Sequence, residues 1–180
     1  TVRHYNACLH CCKFKTAKIV LNDMLDESKK DIPKPDLISF NTVINAAAES
    51  GRKEDALSIL RSISSRHGIK PDQFTYNSCI SALSHGETAE AMALKKEMEE
   101  NGIFPSIHTY KSILKSCAIK GNSELAMLLL NDMEKWNIKA CNHCMNFTIQ
   151  ACSVNENKKS AKMLIDKLRC EGRPLFLTSY

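Results

Sequence analysis

The stretch ISFNTVI at residues 38–44 returns, one repeat later, as FTYNSCI at residues 74–80. Both copies place an aromatic residue directly before an asparagine, within an apolar pattern of helical spacing. Along the rest of the chain, small residues recur every 35 positions. They are Ala56, Ala91, Ala126 and Ala161, and also Gly51, Gly86 and Gly121. A fixed period of this length predicts an array of small stacked units in place of one globular core.

Each unit is predicted to consist of a helix, a tight turn, a second helix and a loop. In the copy from residue 37 to 72, apolar residues recur at helical spacing on both sides of Gly51. The second helix is followed by Gly68 and then by Pro71, which is the order expected past a helix end. The pattern therefore predicts an all-α chain of helical hairpins.

The predicted boundaries divide the chain into one continuous array. An irregular repeat covers residues 1–36, with a shorter inner turn near Phe14 and a longer outer loop before Pro35. The other predicted repeats cover residues 37–72, 73–106, 107–141 and 142–175, and a further repeat starts at 176–180. Because the chain opens on Thr1 and stops on this restart, we expect the natural array to continue.

Composition excludes several classes of function. A hydrophobic content of 43%, with six Gly and five Pro, predicts a folded chain and not a disordered one. The apolar runs are too short to span a bilayer, so no membrane insertion is expected. The sequence has no Gly-rich phosphate loop, no Ser/His/Asp arrangement and no paired acids on one face. We therefore predict that the chain is not an enzyme and needs no cofactor.

The nine cysteines are spaced for packing. Cys8 and Cys79 each lie two residues after a marker asparagine, and residues that return at one repeat position usually pack as small apolar groups. Cys and His residues, which can bind zinc, occur close together around Cys8 and in the Cys-x-x-Cys at residues 141–144. One straight helix cannot easily surround an ion, and residues 141–144 have no second pair at finger-like spacing. No metal site is expected.

Charge is distributed unevenly between the two helices of each unit. The net charge is +5, and the five predicted first-helix segments contain basic residues and a single acid, Glu49. Nearly all other acids fall on second helices and loops. If the first helices line one face, that face suits a polyanion. An open alternative is that first helices carry few acids because they are more buried.

The 35-residue spacing, the aromatic–asparagine pair, the inner glycine and the terminal Pro-Asp together resemble the pentatricopeptide repeat, most strongly over residues 37–106. The resemblance implies an all-α, right-handed superhelical α-solenoid of about five helix-turn-helix repeats that binds single-stranded RNA, one base per repeat. It implies a sequence-specific RNA-binding adaptor for the processing, stability or translation of transcripts in a mitochondrion or plastid. The alternative is a structural scaffold subunit within a larger ribonucleoprotein or protein assembly.

The resemblance also assigns base-reading residues. In the family, one reader follows the helix-opening aromatic and the other ends the unit. The implied readers are Asn6 with Asp36, Asn41 with Asp72, Asn77 with Ser106, Lys111 with Cys141, and Asn146 with Leu175 or Phe176. The family associates Asn/Asp with uracil and Asn/Ser with cytosine, so the implied motif is U-U-C. The Lys111 pair departs from the family's usual choices.

Two further sets of residues lie beside these readers. The candidates for flanking a base stand two residues before the marker aromatics and are Arg3, Ile38, Phe74 and His108. The candidates for the RNA backbone are Lys13, Lys115 and Lys120. A lysine is a flexible point charge, which suits a phosphate and reads a base edge poorly. The marker aromatics themselves are predicted to wedge between the two helices of their own unit.

Overall fold

A computed structural model of the chain describes residues 1–172 and contains ten α-helices and no strand within that range. The prediction of an all-α helix-turn-helix array is confirmed. In chain order the helices are α1 (Val2–Cys11), α2 (Phe14–Leu25), α3 (Leu37–Glu49), α4 (Lys53–His67), α5 (Gln73–Ala82), α6 (Thr88–Glu100), α7 (Ile107–Lys120), α8 (Ser123–Lys135), α9 (Asn142–Val154) and α10 (Lys158–Cys170). The predicted restart at residues 176–180 lies outside the described residues.

Two compact units divide the chain, a first unit from Thr1 to Ala82 and a second unit from Leu83 to Tyr180. In the first unit, α3 packs against α1, α2, α4 and α5. In the described part of the second unit, α7 packs against α6, α8 and α9, and α10 packs against α9. Each unit therefore has one first helix at its centre, α3 in the first unit and α7 in the second. The individual repeat boundaries stay a prediction.

Side-chain caps fix where the first helices begin. The Asp36 carboxylate accepts the backbone N–H of Ser39, and the Ser39 hydroxyl accepts the backbone N–H of Asp36. This reciprocal capping box satisfies two of the free N–H groups at the start of α3. Ser106 and Thr109 form the corresponding capping box at the start of α7. The residues that end one predicted repeat thus begin the first helix of the next.

The repeated small and aromatic residues form the helix contacts. Ala56, Ala91 and Ala126 are fully buried, as expected where helices approach closely. The marker aromatics Tyr76 and Tyr110 are 1% and 0% exposed, so they are buried in the core and are not available for stacking on a base. Their wedge between the two helices of one unit stays a prediction. Within residues 1–172, none of the helices has the length and apolar character that a membrane span requires.

The cysteine prediction is correct for some positions and wrong for Cys8. Cys79 is fully buried, and its Sγ lies 3.7 Å from the carbonyl oxygen of Ala56 in α4, the second helix of the preceding hairpin. Cys8 occupies the same repeat position and is exposed. All nine cysteines are free thiols.

The inner turn between α9 and α10 departs from the other repeats. Gly51 and Gly121 adopt φ angles of 67° and 69°, in the left-handed region where glycine meets no steric penalty. Glu156 stands 35 residues after Gly121 and adopts φ 53° with a full side chain. A non-glycine residue in this region is strained by about 1–2 kcal/mol. The turn geometry of the repeat has therefore been kept without its glycine.

Glu156→Gly is expected to raise the free energy of unfolding by about 0.5–1 kcal/mol, because glycine relieves the strain but makes the unfolded chain more flexible. The measurement is chemical denaturation of the parent and the variant. Glu156→Ala is the matched control, because it removes the same charge and keeps the Cβ. A glycine variant that is no more stable than the alanine variant would show that backbone strain is not stored here.

An ionic cluster around the buried Lys95 joins three helices of the second unit. Lys95 of α6 is 6% exposed, and its Nζ lies 2.8 Å from Asp132 Oδ2 of α8 and 2.7 Å from Glu99 Oε1. The hydroxyl of Tyr110, from α7, donates to the same Asp132 oxygen at 2.8 Å. The Lys95 ammonium also stands 5.3 Å from the centre of the Tyr110 ring. The cluster thus connects α6, α7 and α8 through one carboxylate.

Candidate nucleic-acid interface

The first unit contains two copies of one polar arrangement. In the first copy, the amide Nδ2 of Asn6 donates to the two carboxylate oxygens of Asp36 at 3.1 and 3.3 Å. In the second copy, Asn41 Nδ2 donates to Asp72 Oδ1 at 3.2 Å. The asparagine lies on a first helix and the aspartate stands at the start of the next first helix. Both members of each pair named from the sequence are therefore in direct contact.

A hydroxyl group completes each arrangement. Ser39 Oγ donates to Asn6 Oδ1 at 2.6 Å, and Thr75 Oγ1 donates to Asn41 Oδ1 at 2.6 Å. We call Asn6–Asp36–Ser39 and Asn41–Asp72–Thr75 the two reading triads, after the base-reading role that the family resemblance implies. The hydroxyl residues were not predicted from the sequence. In the sequence these hydroxyl residues can be recognised as a Ser or Thr that lies three residues after each aspartate and directly before the marker aromatic.

Both triad aspartates are ionised at neutral pH. Burial raises the pKa of Asp36, but hydrogen bonds from the Ser39 N–H, the Asn6 amide and the Ser39 hydroxyl outweigh it and hold the pKa below 3.8. Burial also raises the pKa of Asp72, but hydrogen bonds from Thr75 and Asn41 outweigh this effect, so the pKa is lowered overall. An ionised carboxylate can only accept hydrogen bonds. Each triad therefore presents acceptor oxygens to a ligand.

The asparagine of each triad adds a donor beside these acceptors. An amide nitrogen carries two N–H groups, and the bond to Asp72 uses one of those on Asn41. The second N–H of Asn41 is left for a ligand, on a residue that is only 8% exposed. A donor next to an acceptor matches a base edge that has a carbonyl next to an N–H. Uracil has such an edge, whereas cytosine has an unprotonated ring nitrogen in place of the N–H.

Large apolar side chains stand next to the triads. Ile38 and Phe74 precede the two hydroxyl residues and are 61% and 53% exposed. Exposed apolar groups beside polar readers can cover the faces of a base, as stacking side chains do in single-strand binding. Arg3 on α1 and His108 on α7 are also exposed. The four predicted base-flanking residues are therefore accessible, each within its own unit.

The predicted backbone lysines differ in exposure. Lys13 lies in the turn between α1 and α2 and is exposed. In the second unit, Lys115 is half-buried along α7, and Lys120 is exposed in the last turn of α7. The stem of Lys120 lies over Gly86, where an added Cβ would come within 2.8 Å of Lys120 Cε. A glycine at that turn therefore leaves room for the lysine side chain.

The predicted Lys111 and Cys141 pair has different chemistry. Cys141 caps α9, and its Sγ lies 3.5 Å from Sγ of Cys144, which stands at the position of the triad hydroxyls. Burial raises the pKa of Cys144 to about 12, so this group is a neutral thiol. Lys111 can only donate and thiols are weak hydrogen-bonding groups, so the pair lacks the acceptor of the triads. Within residues 1–172, no group of three or more His, Cys, Asp or Glu could hold a metal ion.

Every predicted base-reading role remains a prediction, and so does the pairing of Asn77 and of Asn146. Asn77 belongs to the first unit and Ser106 to the second unit. Asn146 is half-buried on α9, and its predicted partners Leu175 and Phe176 lie outside the described residues. The residue before Asn146, Met145, is 3% exposed and takes the buried place that Tyr76 and its equivalents hold elsewhere.

Helical hairpins that recur at a fixed period define an α-solenoid repeat protein. Three family models match the chain: the PPR repeat family over residues 35–85, the PPR repeat over residues 74–103, and the pentatricopeptide repeat domain over residues 93–155. The chain belongs to the pentatricopeptide repeat family.

Curated relatives from Arabidopsis thaliana have the same family name. One pentatricopeptide repeat-containing protein is 34% identical over 102 residues, which cover 57% of this chain and 17% of that protein. Another, whose name includes the word mitochondrial, is 32% identical over 88 residues, covering 48% of this chain and 13% of that protein. The chain thus spans less than a fifth of the length of these relatives.

Solved structures share the fold at low sequence identity. The pentatricopeptide repeat protein PPR10 from maize matches with a TM-score of 0.73 and 19% identity, over 94% of this chain and 24% of that chain. PPR10 in complex with an 18-nucleotide psaJ RNA element matches with a TM-score of 0.72 and 20% identity, over 96% of this chain and 24% of that chain. The PPR domain of Arabidopsis thaliana protein-only RNase P 1, in complex with tRNA, matches with a TM-score of 0.74 and 14% identity, over 98% of this chain and 91% of that chain.

Proposed function

We propose that this chain binds single-stranded RNA as a sequence-specific helical-repeat adaptor. The observation that carries the proposal is the pair of reading triads, which repeat the same hydrogen bonds about one repeat apart within the first unit. Two of the solved structures that share the fold, PPR10 and the PPR domain of RNase P 1, were determined with bound RNA. The base-by-base reading belongs to the proposal.

Each reading triad is assigned to a uracil. Asp36 and Asp72 would accept the N3–H of the base, and the free amide N–H of Asn6 or Asn41 would donate to its neighbouring carbonyl. The exposed Ile38 and Phe74 would contact the base faces. Together with the family association of Asn77 and Ser106 with cytosine, this gives U-U-C as the motif. The chain would hold a transcript and carry no chemistry of its own.

The proposal is tested by binding to short RNAs. We expect the 180-residue chain to bind a single-stranded RNA that contains U-U-C more tightly than one of the same composition in which these bases are scrambled. Fluorescence anisotropy with both RNAs at one stated salt concentration measures the difference, because affinities for a polyanion depend on salt. Equal affinity for the two RNAs would exclude sequence-specific reading by this chain.

Lys115→Ala is expected to weaken the binding of all RNA sequences about equally and to lower the salt slope by roughly 0.7, the value for one lost phosphate contact on a single strand. Affinity measured at several salt concentrations gives this slope. Lys159, which is exposed on the second helix α10, supplies the control, and its alanine variant should bind like the parent. A Lys115 variant that keeps the parent's slope would remove this lysine from the RNA path.

A second candidate function is a scaffold subunit within a ribonucleoprotein or protein assembly. It is favoured by Lys111 and Cys141, which lack the acceptor that the reading triads provide. If it holds, the lysines of α7 face solvent or a protein partner, and neither U-U-C nor Lys115 affects RNA binding. For either function we propose an organellar setting, supported by the word mitochondrial in the name of one relative.

A further inference from the structure

We propose that Ser39 and Thr75 are positioning residues, which fix the amide orientation of Asn6 and Asn41 and thereby set the preference for uracil over cytosine. The inference rests on the proposed RNA function and adds a specificity-determining residue to each reading pair. It is carried by one observation that occurs twice, a hydroxyl oxygen 2.6 Å from the Oδ1 of each reading asparagine.

The hydroxyl proton of Thr75 has two acceptors within reach. Asn41 Oδ1 lies at 2.6 Å, and Asp72 Oδ1 lies at 2.8 Å. Asp72 Oδ1 already accepts the backbone N–H of Thr75 at 2.8 Å and Asn41 Nδ2 at 3.2 Å. The Thr75 oxygen itself accepts the backbone N–H of Asp72 at 3.0 Å. Because a hydroxyl has one proton, it goes to the shorter and less occupied acceptor, Asn41 Oδ1.

This arrangement permits only one orientation of the Asn41 amide. With Nδ2 toward the Asp72 carboxylate and Oδ1 toward the Thr75 hydroxyl, every close contact pairs a donor with an acceptor. The opposite orientation would place Oδ1 against a carboxylate oxygen. Asn41 is only 8% exposed, so its carbonyl has little access to water as a substitute donor. A base therefore meets an N–H of Asn41 and not its carbonyl.

Loss of the hydroxyl would remove one of the two contacts that fix the Asn41 amide and leave only the Asp72 carboxylate to hold it, so the amide would turn more easily. Cytosine carries an exocyclic amino group where uracil has a carbonyl, so a turned Asn41 amide can accept from cytosine. The first triad shows that a serine hydroxyl makes the same 2.6 Å contact, because Ser39 bonds Asn6 as Thr75 bonds Asn41. The structure thus supplies its own conservative replacement for Thr75.

The test compares Thr75→Val, which removes the hydroxyl and keeps the shape, with Thr75→Ser, which keeps the hydroxyl. Affinities are measured for four RNAs that differ only in the second base of U-U-C. We expect Thr75→Val to reduce the uracil-to-cytosine preference at that base about tenfold, within the discrimination that a well-placed pair of hydrogen bonds provides. The preference at the first base should not change, and Thr75→Ser should retain both preferences.

A purely structural role gives a different result. Thr75 also belongs to the start of α5, so Thr75→Val is expected to lower the unfolding temperature whether or not the hydroxyl acts on Asn41. If Thr75→Val weakens all four RNAs equally and leaves their ratio unchanged, the positioning role is wrong. If the parent chain itself shows no base preference, the proposed function fails first. Should Thr75→Val not fold, Ser39→Ala repeats the test at the first base.

Discussion

Replacing Lys95 with alanine is expected to lower the free energy of unfolding of the second unit by about 1–3 kcal/mol, the range for losing hydrogen bonds between charged groups. The loss leaves the Asp132 carboxylate with a buried neighbour, Tyr110, and without the cation that neutralises it. The Asp132 side chain is 31% exposed, so water can replace part of what Lys95 provides, and the loss is smaller than for a fully buried pair. Denaturation followed by the fluorescence of Trp136, the single tryptophan and a residue of the second unit, measures the loss.

Lys96→Ala is the matched control for this prediction. Lys96 is the next residue of the same helix, and its pair with Glu100 has side chains that are 77% and 65% exposed. Exposed pairs contribute little, so this variant should stay within about 0.5 kcal/mol of the parent. Equal losses from the two alanine variants would mean that the ionic cluster does not stabilise the second unit.

The effect of Lys95 should depend on pH in a defined direction. Burial raises the pKa of Asp132, but hydrogen bonds from Lys95 and Tyr110 outweigh it and lower the pKa, so its contribution disappears as the pH falls below about 4. Burial lowers the pKa of Lys95, but Asp132 and Glu99 outweigh it and raise the pKa, so its contribution disappears as the pH rises above about 10.4. The difference between parent and Lys95→Ala should therefore be largest between these limits.

Asp72→Ser is expected to change the preference at the second base of U-U-C from uracil toward cytosine. The substitution removes an acceptor-only carboxylate and introduces a hydroxyl that can also donate. Serine is as good a helix cap as aspartate, so α5 should still form. We expect the difference in binding free energy between the two bases to move by about 1–3 kcal/mol, measured by competition between RNAs that differ only at that position.

The first triad provides the positional control. Asp36→Ser changes the same residue type at the start of α3 and should alter the preference at the first base only. Each variant thus serves as the reference for the other. If both variants weaken every RNA by the same factor, the two aspartates contribute to general stability or charge and read no base.

The sequence was sufficient to predict the hairpins because the apolar residues and the turn glycine that form a hairpin all lie within one repeat. Ala56, Ala91 and Ala126 share a period and a buried position, and the Asn–Asp pairs follow from the family resemblance. Contacts among three elements could not be predicted. A lysine within α6 has the pattern of a solvated residue, and only the approach of Tyr110 and Asp132 from two other helices buries Lys95.

The departures from the repeat have similar physical causes. The hydroxyls of Ser39 and Thr75 fit helix capping on sequence grounds, and their second contact to an asparagine 33 or 34 residues earlier depends on how neighbouring helices stack. Cys8 is exposed at the repeat position where Cys79 is fully buried. Glu156 keeps a turn that its repeat position normally gives to glycine. The 35-residue period alone does not show which repeat positions are exposed or which tolerate backbone strain.

Base reading by the two triads can be observed directly by following the side-chain amides of Asn6 and Asn41 by NMR while a U-U-C RNA is added. Reading of bases by the two triads predicts that these two amide signals shift together, and that the amide of Asn131, exposed on the second helix α8, does not shift. An RNA with cytosine in place of both uracils should need a higher concentration to cause the same change. Binding that leaves the Asn6 and Asn41 signals in place would contradict the account.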